Sequence, residues 1–475
     1  MGKDANERLY TEKEVQRLIV QAVDRATLPL LDRIDQLESQ IARMGKDSSN
    51  SSKPPSSDIV KPKPKKPKGQ RKPGGQKGHP RKVREPFPPD EVDRSYTYEL
   101  QDTTGLEPLK GSEGWRVVQQ VELPRKLFYV TEHRARRYRC VQTGRIITAP
   151  LPPEVVKGGW MGPRLSTLAC YLKGVCHGSY RTVHRFFSEV LGLDLSVGLL
   201  AKAIRKMTVA LGDSYQELID ALPRQPVLGL DETGLRHCGD GHWVWCAHAP
   251  GPEGLTCFAI DPSRGSRVLN DILGPDYSGI IHSDFYSAYR KYLADTPGVR
   301  MQFCWAHLIR DVKFMLDLQD KVTRNFAKRL LKPIRKMFAL IHRRDEMNAS
   351  RYQRTLTRYK DVILRLIRRA PERHEPGKIK KRFEDHGRSY FTFMAYHDVP
   401  CVEPTNNATE RQIRFVVLDR KVTQGTKGVI GNLWCERIWS TVATCRQRGK
   451  PVFALLFDTL NAHIRGKLTP SLIYA

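Results

Sequence analysis

The sequence predicts an α/β fold that combines a mixed sheet with a long, basic helical insertion. Short apolar runs bounded by turn residues indicate strands between residues 226 and 304. Helical periodicity with many Lys and Arg side chains follows over residues 307–395. A further helical stretch begins near residue 406, so the sheet and the helices after the insertion are predicted to form one core.

The composition indicates a protein that binds a polyanion. The 475 residues include 80 Lys and Arg against 51 Asp and Glu, which gives a formal net charge of +29. This excess favours nucleic acid as partner, with an acidic membrane surface second. No run approaches the roughly 20 apolar residues of a membrane span. Residues 1–7 lack the apolar core of a signal peptide, so we expect an intracellular protein without a membrane partner.

Residues 1–45 are predicted to be helical, with Pro29 splitting the helix. After Pro29, apolar residues recur at spacings of 4, 3, 4 and 3, which is typical of a seam between paired helices. The seam consists of Leu30, Ile34, Leu37, Ile41 and Met44. Because it is short, a self-associating coiled coil and a short helix packed on its own domain both remain open.

Three segments separate this helix from the core. Residues 46–86 are a low-complexity basic linker, in which proline and like charges prevent a packed core and cations attract phosphates. A solvated linker is the alternative, and one segment can be both. Residues 87–155 alternate apolar and polar in places, which predicts a small β-rich domain. Residues 156–222 are helical, and the stretches 180–191 and 199–211 predict either a DNA-binding helix-turn-helix or an ordinary helical hairpin.

The core is predicted to occupy residues 223–306 and 396–465, with residues 307–395 as the helical insertion. Its strands are predicted over residues 226–230, 242–248, 255–260, 278–283 and 299–304, and its helices over 265–273 and from 305 onward. The resulting order, β-β-β-α-β-(α)-β-α, is that of a ribonuclease H-like fold. The cations of the insertion can be a solvated face, but their excess over acids favours a surface that faces phosphates.

Three acids on these elements form the candidate site. Asp231 ends the first predicted strand, Asp284 follows the fourth, and Glu410 lies in the first turn of a helix capped by Asn406 or Asn407. In a ribonuclease H-like sheet the first and fourth strands are neighbours, so the two aspartates are expected to meet. Converging carboxylates repel one another unless a divalent cation is bound. The acids Glu232, Asp261, Asp271 and Asp276 on the same elements are interpreted as bystanders.

Oxygen ligands of this kind suit Mg²⁺ or Mn²⁺. Two such ions would clamp a scissile phosphate, one activating the attacking oxygen and the other stabilising the leaving oxygen. We therefore expect two ions as cofactors.

Several motifs resemble one known family. They are Leu230–Thr233, His282–Tyr289, Cys304–Arg310, Thr405–Arg414, Ser51–Asp58 and Gly74–His79. Together they resemble the bacterial insertion-sequence-66 type DDE transposases over nearly the whole chain. The resemblance implies that Asp231, Asp284 and Glu410 are the catalytic and metal-binding triad for 3′-end cleavage and strand transfer of transposon DNA.

The same resemblance implies partners and a location. The partners are transposon ends, target DNA, further copies of the chain on DNA, and accessory proteins of the same element. The location is the bacterial cytoplasm, with nucleoid association when DNA is bound. Cations around Glu410 are expected to contact DNA, although a salt-bridged surface helix is the alternative. These cations are Arg411, Arg414, Arg420, Lys421 and Lys427.

The sequence departs from the family in one respect. Family members usually carry two Cys-x-x-Cys pairs in the β-rich domain, whereas this chain has Asp102–Gly105 at the first position and only Cys140 at the second. One thiolate cannot complete a four-ligand zinc site, so no zinc is expected and the domain is expected to be held by apolar residues. Those residues are Val117, Val118, Val121, Leu123, Leu127, Tyr129 and Val130.

Two other groups contain metal-ligand residue types. The first alternates along a predicted hairpin and is not expected to converge; it comprises His237, Cys238, His242, Cys246 and His248. The second, Cys304 with His307, is interpreted as a packed thiol beside a polar histidine. The leading hypothesis is thus a DDE transposase. The alternatives are an inactive transposase-derived DNA-binding protein and a nuclease that cuts DNA without joining it.

Overall fold

The structure is a computed structural model that describes residues 11–44, 85–102, 104–107 and 116–473. Most of the predicted basic linker, residues 46–84, lies outside the described residues. The side chains of Ile34, Ile41 and Met44 in the predicted helix seam also lie outside them.

The N-terminal helix α1 (Glu12–Met44) runs without interruption and contains Pro29. The prediction that Pro29 splits this helix is therefore wrong. A proline removes one backbone hydrogen bond and bends a helix, but the turns on both sides keep their own bonds. Leu30 and Leu37 of the seam are exposed, so pairing with a second helix stays a prediction.

The described part of residues 85–152 has little regular structure. Strands β1 (Arg137–Arg139) and β2 (Ile146–Thr148) pair as an antiparallel hairpin, and Cys140 lies at the end of β1 as predicted. The apolar side chains expected to form a core are instead exposed, or nearly so; these are Val117, Val118, Val121, Leu123, Leu127, Tyr129 and Val130. The predicted self-contained β-rich core is therefore wrong for the described residues, because a single short hairpin has no second layer against which to bury side chains.

Residues 153–221 are helical, as predicted. The helices are α2 (Pro153–Gly158), α3 (Pro163–Gly174), α4 (Tyr180–Leu191), α5 (Val197–Ala210) and α6 (Gly212–Ala221). Ser179 and Ser196 accept hydrogen bonds from the first-turn amides of α4 and α5, and Gly192 ends α4 in the left-handed region at φ 66°. The two predicted helices of the helix-turn-helix are thus present, and α5 exposes Lys202 and Arg205. Their use in reading DNA stays a prediction.

A five-stranded mixed sheet forms the centre of the molecule, which confirms the α/β prediction. Its strands are β3 (Val227–His237), β4 (Asp240–Ala249), β5 (Leu255–Asp261), β6 (Ile280–Ser283) and β7 (Arg300–Phe303). The spatial order is β5-β4-β3-β6-β7. Strands β3, β4 and β5 are antiparallel, whereas β6 and β7 lie parallel to β3. The first and fourth core strands are therefore neighbours, as predicted.

Helices connect and cover these strands. Between β5 and the insertion lie α7 (Arg267–Leu273), α8 (Ser287–Asp295) and α9 (Trp305–Phe314). The insertion forms α10 (Lys321–Ile341), α11 (Ala349–Arg368), α12 (His374–His386) and α13 (Thr392–Ala395). The chain then forms α14 (Asn407–Thr423), α15 (Gly428–Gln447) and α16 (Val452–Arg465). Among the described helices, none combines the length and the apolar character needed to cross a membrane.

The first core strand is longer than predicted, and this changes the position of Asp231. The first strand was predicted over residues 226–230 with Asp231 at its end, but β3 continues beyond Asp231 to His237. The turn follows at Cys238 and Gly239, whose φ angles are 51° and 96°. Strand β4 pairs with β3 from Gly229 to His237, whereas β6 pairs with β3 only from Val227 to Gly229. The β3–β4 hairpin therefore extends beyond β6.

The two faces of the sheet pack against different helices. Leu228, Leu230 and Trp245 belong to one apolar cluster that includes the insertion helices. Leu235, Val244 and Cys246 belong to a second cluster, which includes residues of α5, α14, α15 and α16. This assignment follows the two-residue alternation of a strand. The helices before the sheet therefore share a core with those after the insertion.

Helix α15 satisfies the open edge of β5. Amides at alternate positions of β5 donate to side chains four residues apart on α15: Ile260 N–H to Glu436 Oε1 at 2.7 Å, Phe258 N–H to Ser440 Oγ at 2.9 Å, and Thr256 N–H to Thr444 Oγ1 at 3.0 Å. Four helical residues rise about 6 Å, which is close to the roughly 6.6 Å of two strand residues. The matched spacing lets one helix protect the edge strand from pairing with another chain.

We expect the variant Glu436→Gln to be more stable than the unchanged chain at alkaline pH. Burial raises the pKa of Glu436 from 4.5 to about 7, so the folded state binds this proton more tightly than the unfolded state. The resulting stability is complete below pH 4.5 and is lost as the pH rises through 7. Gln keeps an oxygen for Ile260 N–H and carries no charge. At pH 8 its free energy of unfolding should therefore be higher by about 3 kcal/mol.

Urea unfolding at pH 8 and pH 5 measures this difference, which should shrink towards pH 4.5. Glu384→Gln, at an exposed position of α12, is the matched control and should show no such dependence. An equal effect of Glu436→Gln at both pH values would contradict the prediction.

Candidate active site

Asp231 and Asp284 lie at the same level of adjacent parallel strands. Each residue pair in the β3–β6 ladder, from Val227 with Ile280 to Gly229 with His282, differs by 53 in residue number. Asp231 and Asp284 differ by the same number, and Asp284 follows the last residue of β6. In a parallel ladder, residues in register point their side chains to the same face. Continued by two residues, this register brings the two predicted aspartates to one edge of the sheet, and the charge of Asp284 acts on Asp231.

The segment before α14 crosses this edge. Trp305 N–H donates to Pro404 O at 3.0 Å, and Asn406 N–H donates to Cys304 Sγ at 3.2 Å. Asn406 Nδ2 donates to Leu230 O at 2.7 Å, one residue before Asp231. Asn406 precedes α14 as predicted, but its side chain bonds β3 and Thr409 rather than the first-turn amides. The side chain predicted to cap α14 instead fastens this helix to the sheet.

Gly229 allows α14 to lie directly on β3. A Cβ atom at this position would overlap Thr409 Oγ1 and lie 2.9 Å from Asn406 Oδ1. Gly229 is two residues before Asp231 and therefore faces the same side. The missing side chain sets the approach of the helix that carries Glu410.

The three predicted acids influence one another electrostatically. Burial, followed by the charges of Glu232, Asp284 and Glu410, raises the pKa of Asp231 well above its usual value. Burial and the charge of Glu232 raise the pKa of Asp284 to about 7, although Tyr286 N–H donates to Asp284 Oδ1 at 2.9 Å. Both carboxylates are therefore destabilised as anions, and a cation would relieve this repulsion.

Glu410 lies against two side chains of α9. Its Oε1 lies 3.4 Å from Arg310 Nη2 and 3.6 Å from His307 Nδ1. Among the described residues, one ligand atom from each of Cys304, His307 and Glu410 lie within 4.8 Å of one another. Asp231 and Asp284 do not belong to this group. Glu410 is thus engaged by side chains of α9, and its grouping with the two aspartates as a triad stays a prediction.

Glu232, interpreted from the sequence as a bystander, lies within the carboxylate cluster. Its side chain is 2% exposed and accepts hydrogen bonds from Arg264 Nη2 at 2.6 Å and Nε at 2.9 Å, and from Tyr289 Oη. The Arg264 guanidinium lies between two aromatic rings, 4.3 Å from the centroid of Trp243 and 3.8 Å from that of Tyr286. The charge of Glu232 is thus compensated within the fold.

Sequence reasoning missed Arg264 and Tyr289. For Glu232, the signal in the sequence was its position next to Asp231. Consecutive strand residues point to opposite faces, so Glu232 approaches the same edge of the sheet from the other face. For Arg264 there was no signal, since its loop position says nothing about the rings that enclose it.

The predicted DNA-contacting cations divide into two groups. Arg411, Arg414, Lys421 and Lys427 are exposed on α14 and the loop after it, and their contact with DNA stays a prediction. Arg420 instead donates to Thr233 Oγ1 at 2.9 Å and to Gly234 O, so it fixes the end of α14 to β3. Its role in DNA contact also stays a prediction.

Buried Asp419 anchors the same part of α14. Its Oδ2 accepts from Trp439 Nε1 at 3.0 Å, and its Oδ1 lies 3.2 Å from His177 Nδ1. These contacts join α14 to α15 and to the α3–α4 loop. The helix that carries Glu410 is therefore fixed at both ends.

The five hairpin residues that were not expected to converge on a metal have other surroundings, and the ring of His242 packs 4.9 Å from that of His237. His237 Nδ1 lies 2.9 Å from Thr426 Oγ1, and His248 Nδ1 lies 2.8 Å from Thr256 Oγ1. Cys246 is buried opposite Asp231 in the β3–β4 ladder, and Cys238 is exposed in the turn. None of them belongs to the group formed by Cys304, His307 and Glu410 in the described part of the chain.

The donor set at the sheet edge fits hard divalent cations. Asp231, Asp284 and Glu410 offer only carboxylate oxygens, which is the ligand type that Mg²⁺ and Mn²⁺ prefer. The raised pKa values of Asp231 and Asp284 also favour a bound cation. Burial and the neighbouring negative charges both destabilise these carboxylates as anions.

A family model described as "Transposase IS66 family" matches residues 158–430, more than half of the chain and a range that contains all three predicted acids. A second model, for a family of unknown function, matches residues 4–85. The uncharacterized protein y4jD of Sinorhizobium fredii (strain NBRC 101917 / NGR234) is 22% identical over 359 residues, covering 70% of this chain and 69% of that protein.

Proposed function

Because the chain belongs to the transposase IS66 family, we propose that it is a DDE transposase that cleaves the ends of an insertion sequence and joins them to target DNA. Membership of a transposase family implies that the chain binds DNA. One observation supports the finer proposal: Asp231 in β3 and Asp284, directly after β6, differ by the 53-residue offset of the parallel β3–β6 ladder, and Asn406 before the Glu410 helix bonds β3 one residue before Asp231.

We also propose that the core is ribonuclease H-like. The strand order β5-β4-β3-β6-β7, with three antiparallel strands followed by two parallel ones, supports this assignment. The helical insertion between β7 and α14 then separates the third acid from the first two in sequence but not in space.

The residues of the site have different roles in the proposed reaction. Asp231 and Asp284 present carboxylates from rigid strands, while α14 brings Glu410 to the same edge. When two Mg²⁺ or Mn²⁺ ions are bound, they supply activation of the attacking oxygen and stabilisation of the leaving one. Glu232, Arg264 and Tyr289 hold the neighbouring backbone, because their hydrogen bonds join β3 to α8 and to the loop after β5.

The proposed DNA surface combines the exposed cations around Glu410 with the basic insertion. Arg411, Arg414, Lys421 and Lys427 lie on or just after the helix that carries Glu410, so they flank the scissile phosphate in this proposal. The net charge of +29 supports extensive phosphate contact. Assembly of several copies on DNA and help from accessory proteins of the same element are part of the proposal.

The test uses the full chain and a linear DNA that carries the gene with its flanking sequence on both sides. With Mg²⁺ or Mn²⁺ we expect cleavage that exposes 3′ ends and joining of those ends to a second, labelled duplex. With EDTA we expect neither product. Binding without cleavage under every ion condition would favour the inactive DNA-binding alternative. Cleavage without joining would favour the nuclease.

A further inference from the structure

Cys304 and His307 lie beside Glu410 without a role in the oxygen-ligand chemistry just proposed. One ligand atom from each of the three residues lie within 4.8 Å of one another. This set offers sulfur, nitrogen and oxygen, whereas the aspartates offer oxygen alone. The sulfur and nitrogen donors favour a softer cation than Mg²⁺.

The His307 side chain has a buried ring nitrogen without a hydrogen-bond partner. It lies in the first turn of α9, and its buried Nδ1 makes no hydrogen bond although it is 3.6 Å from Glu410 Oε1. Buried polar atoms almost always have a hydrogen-bond partner, so this atom requires an explanation. A ring nitrogen of histidine is a common metal ligand, so a bound cation would give this atom a partner.

The Cys304 thiol is placed where a thiolate can be stabilised. Cys304 precedes α9, and its Sγ accepts the Asn406 N–H at 3.2 Å. Amides at a helix N-terminus favour negative charge. A bound cation supplies the remaining stabilisation, as it does at cysteine ligands generally.

We propose that Cys304, His307 and Glu410 form a binding site for a thiophilic divalent cation of the Zn²⁺ type, with water as the fourth ligand. On binding, the S–H bond breaks, its proton passes to solvent, and a sulfur–metal bond forms without oxidation or reduction. Three protein ligands and an open fourth position are a common zinc arrangement. The 3.6 Å between Nδ1 and Oε1 is near the roughly 3.3 Å expected for two ligands about 2 Å from one tetrahedral ion.

Arg310 is the competing cation at this site. Its Nη2 lies 3.4 Å from Glu410 Oε1, and its side chain is 29% exposed, so it can turn to solvent when the site fills. The Cys304 thiolate and the Glu410 carboxylate together neutralise a divalent ion. The charge of Arg310 then weakens the site without abolishing it.

This inference rests on the proposed function in one respect: Glu410 belongs to both sites. A soft cation held by Cys304 and His307 keeps Glu410 away from Asp231 and Asp284. Zn²⁺ is therefore an inhibitor that acts by withdrawing the third acid, not by replacing Mg²⁺ between the aspartates.

Cobalt titration of the metal-free full chain tests the site without reference to activity. We expect one equivalent of Co²⁺ to produce the intense near-ultraviolet absorption of a cobalt–thiolate bond, and Zn²⁺ to remove it. Cys304→Ser should lose this absorption, while Cys401→Ser, which removes an exposed thiol elsewhere, should keep it. His307→Gln should weaken cobalt affinity at least about tenfold. A wild-type chain without the absorption, or an absorption that survives Cys304→Ser, would overturn the site.

Two further measurements keep the outcome interpretable. Melting curves of the metal-free variants establish that each is folded. If Cys304→Ser does not fold, the loss of cobalt affinity in His307→Gln is the test of the site. In the Mg²⁺ cleavage assay, Cys304→Ser should require at least about tenfold more Zn²⁺ for half-inhibition. If the chain shows cobalt–thiolate absorption but cleaves no DNA, the metal site is supported and the proposed function is rejected. If it cleaves DNA without showing the absorption, the proposed function is supported and the metal site is rejected.

Discussion

Replacing Asp284 with Asn is expected to lower the rate of DNA cleavage by a factor on the order of 10³ or more while leaving DNA affinity nearly unchanged. The substitution keeps the shape of the side chain and its acceptor for Tyr286 N–H but removes the anionic oxygen. Loss of charge stabilisation at a metal site amounts to several kcal/mol of activation free energy, and about 4 kcal/mol corresponds to 10³ in rate. Single-turnover cleavage and a gel-shift titration on the same DNA measure the two effects.

Two acids serve as controls for this prediction. Asp276→Asn changes an exposed acid between α7 and β6 and should cleave at the parent rate. Glu232→Gln is the sharper comparison, because Glu232 is buried beside both aspartates and bonded to Arg264 and Tyr289. We expect it to lower the melting temperature and to keep cleavage within about tenfold, or about 1.4 kcal/mol. If Glu232→Gln abolished cleavage and Glu410→Gln did not, Glu232 would be the third acid.

The sequence allowed the five core strands and their order along the chain to be predicted, because these depend on local signals. Apolar runs such as residues 278–283 are short and bounded by turn residues, so their type is visible from the sequence alone. The β3–β6 register could not be predicted from local signals. Pairing of Val227 with Ile280 places Asp231 level with Asp284, but the spacing of 53 gains meaning only once the two strands are known to be parallel neighbours.

The errors arose where tertiary contacts override local preference. The first core strand was predicted to end at Asp231, yet it continues to His237 because β4 pairs with it throughout this stretch. Pro29 was expected to split a helix that instead continues through it. Val117 and Tyr129 alternate like strand residues, but no partner strand covers them among the described residues. Propensity alone cannot specify which surface a side chain will meet.

The environment of Glu410 was the least predictable part of the site. Arg310 and His307 come from α9, about 100 residues earlier in the chain, and meet Glu410 only because the 404–406 segment crosses the start of that helix. Cys304 was interpreted as a packed thiol, and it is indeed buried. Its contact with Asn406 N–H, however, depends on a crossing that no local pattern encodes.

We expect Gly229→Ala to impair both stability and cleavage, because it acts on the contact between β3 and the helix that carries Glu410. The added Cβ would overlap Thr409 Oγ1 and press on Asn406 Oδ1, so α14 must move away from the sheet. Overpacking of this kind costs about 1–3 kcal/mol of folding free energy. A displacement of about 1 Å at a reacting group can lower the rate about 10²-fold. Thermal melts and single-turnover cleavage measure both quantities.

The chain offers a matched control and a rescue for this prediction. Gly234→Ala lies on the same strand, and its Cβ would meet no heavy atom within 4 Å, so it should melt and cleave like the unchanged chain. Thr409→Ala removes the hydroxyl that the new Cβ would strike. If the clash is the cause, the double variant Gly229→Ala/Thr409→Ala should lose less stability than the sum of the two single variants, because residues in contact are not additive. Additive losses, or a Gly229→Ala variant as active as Gly234→Ala, would mean that the close approach of α14 does not set the position of Glu410.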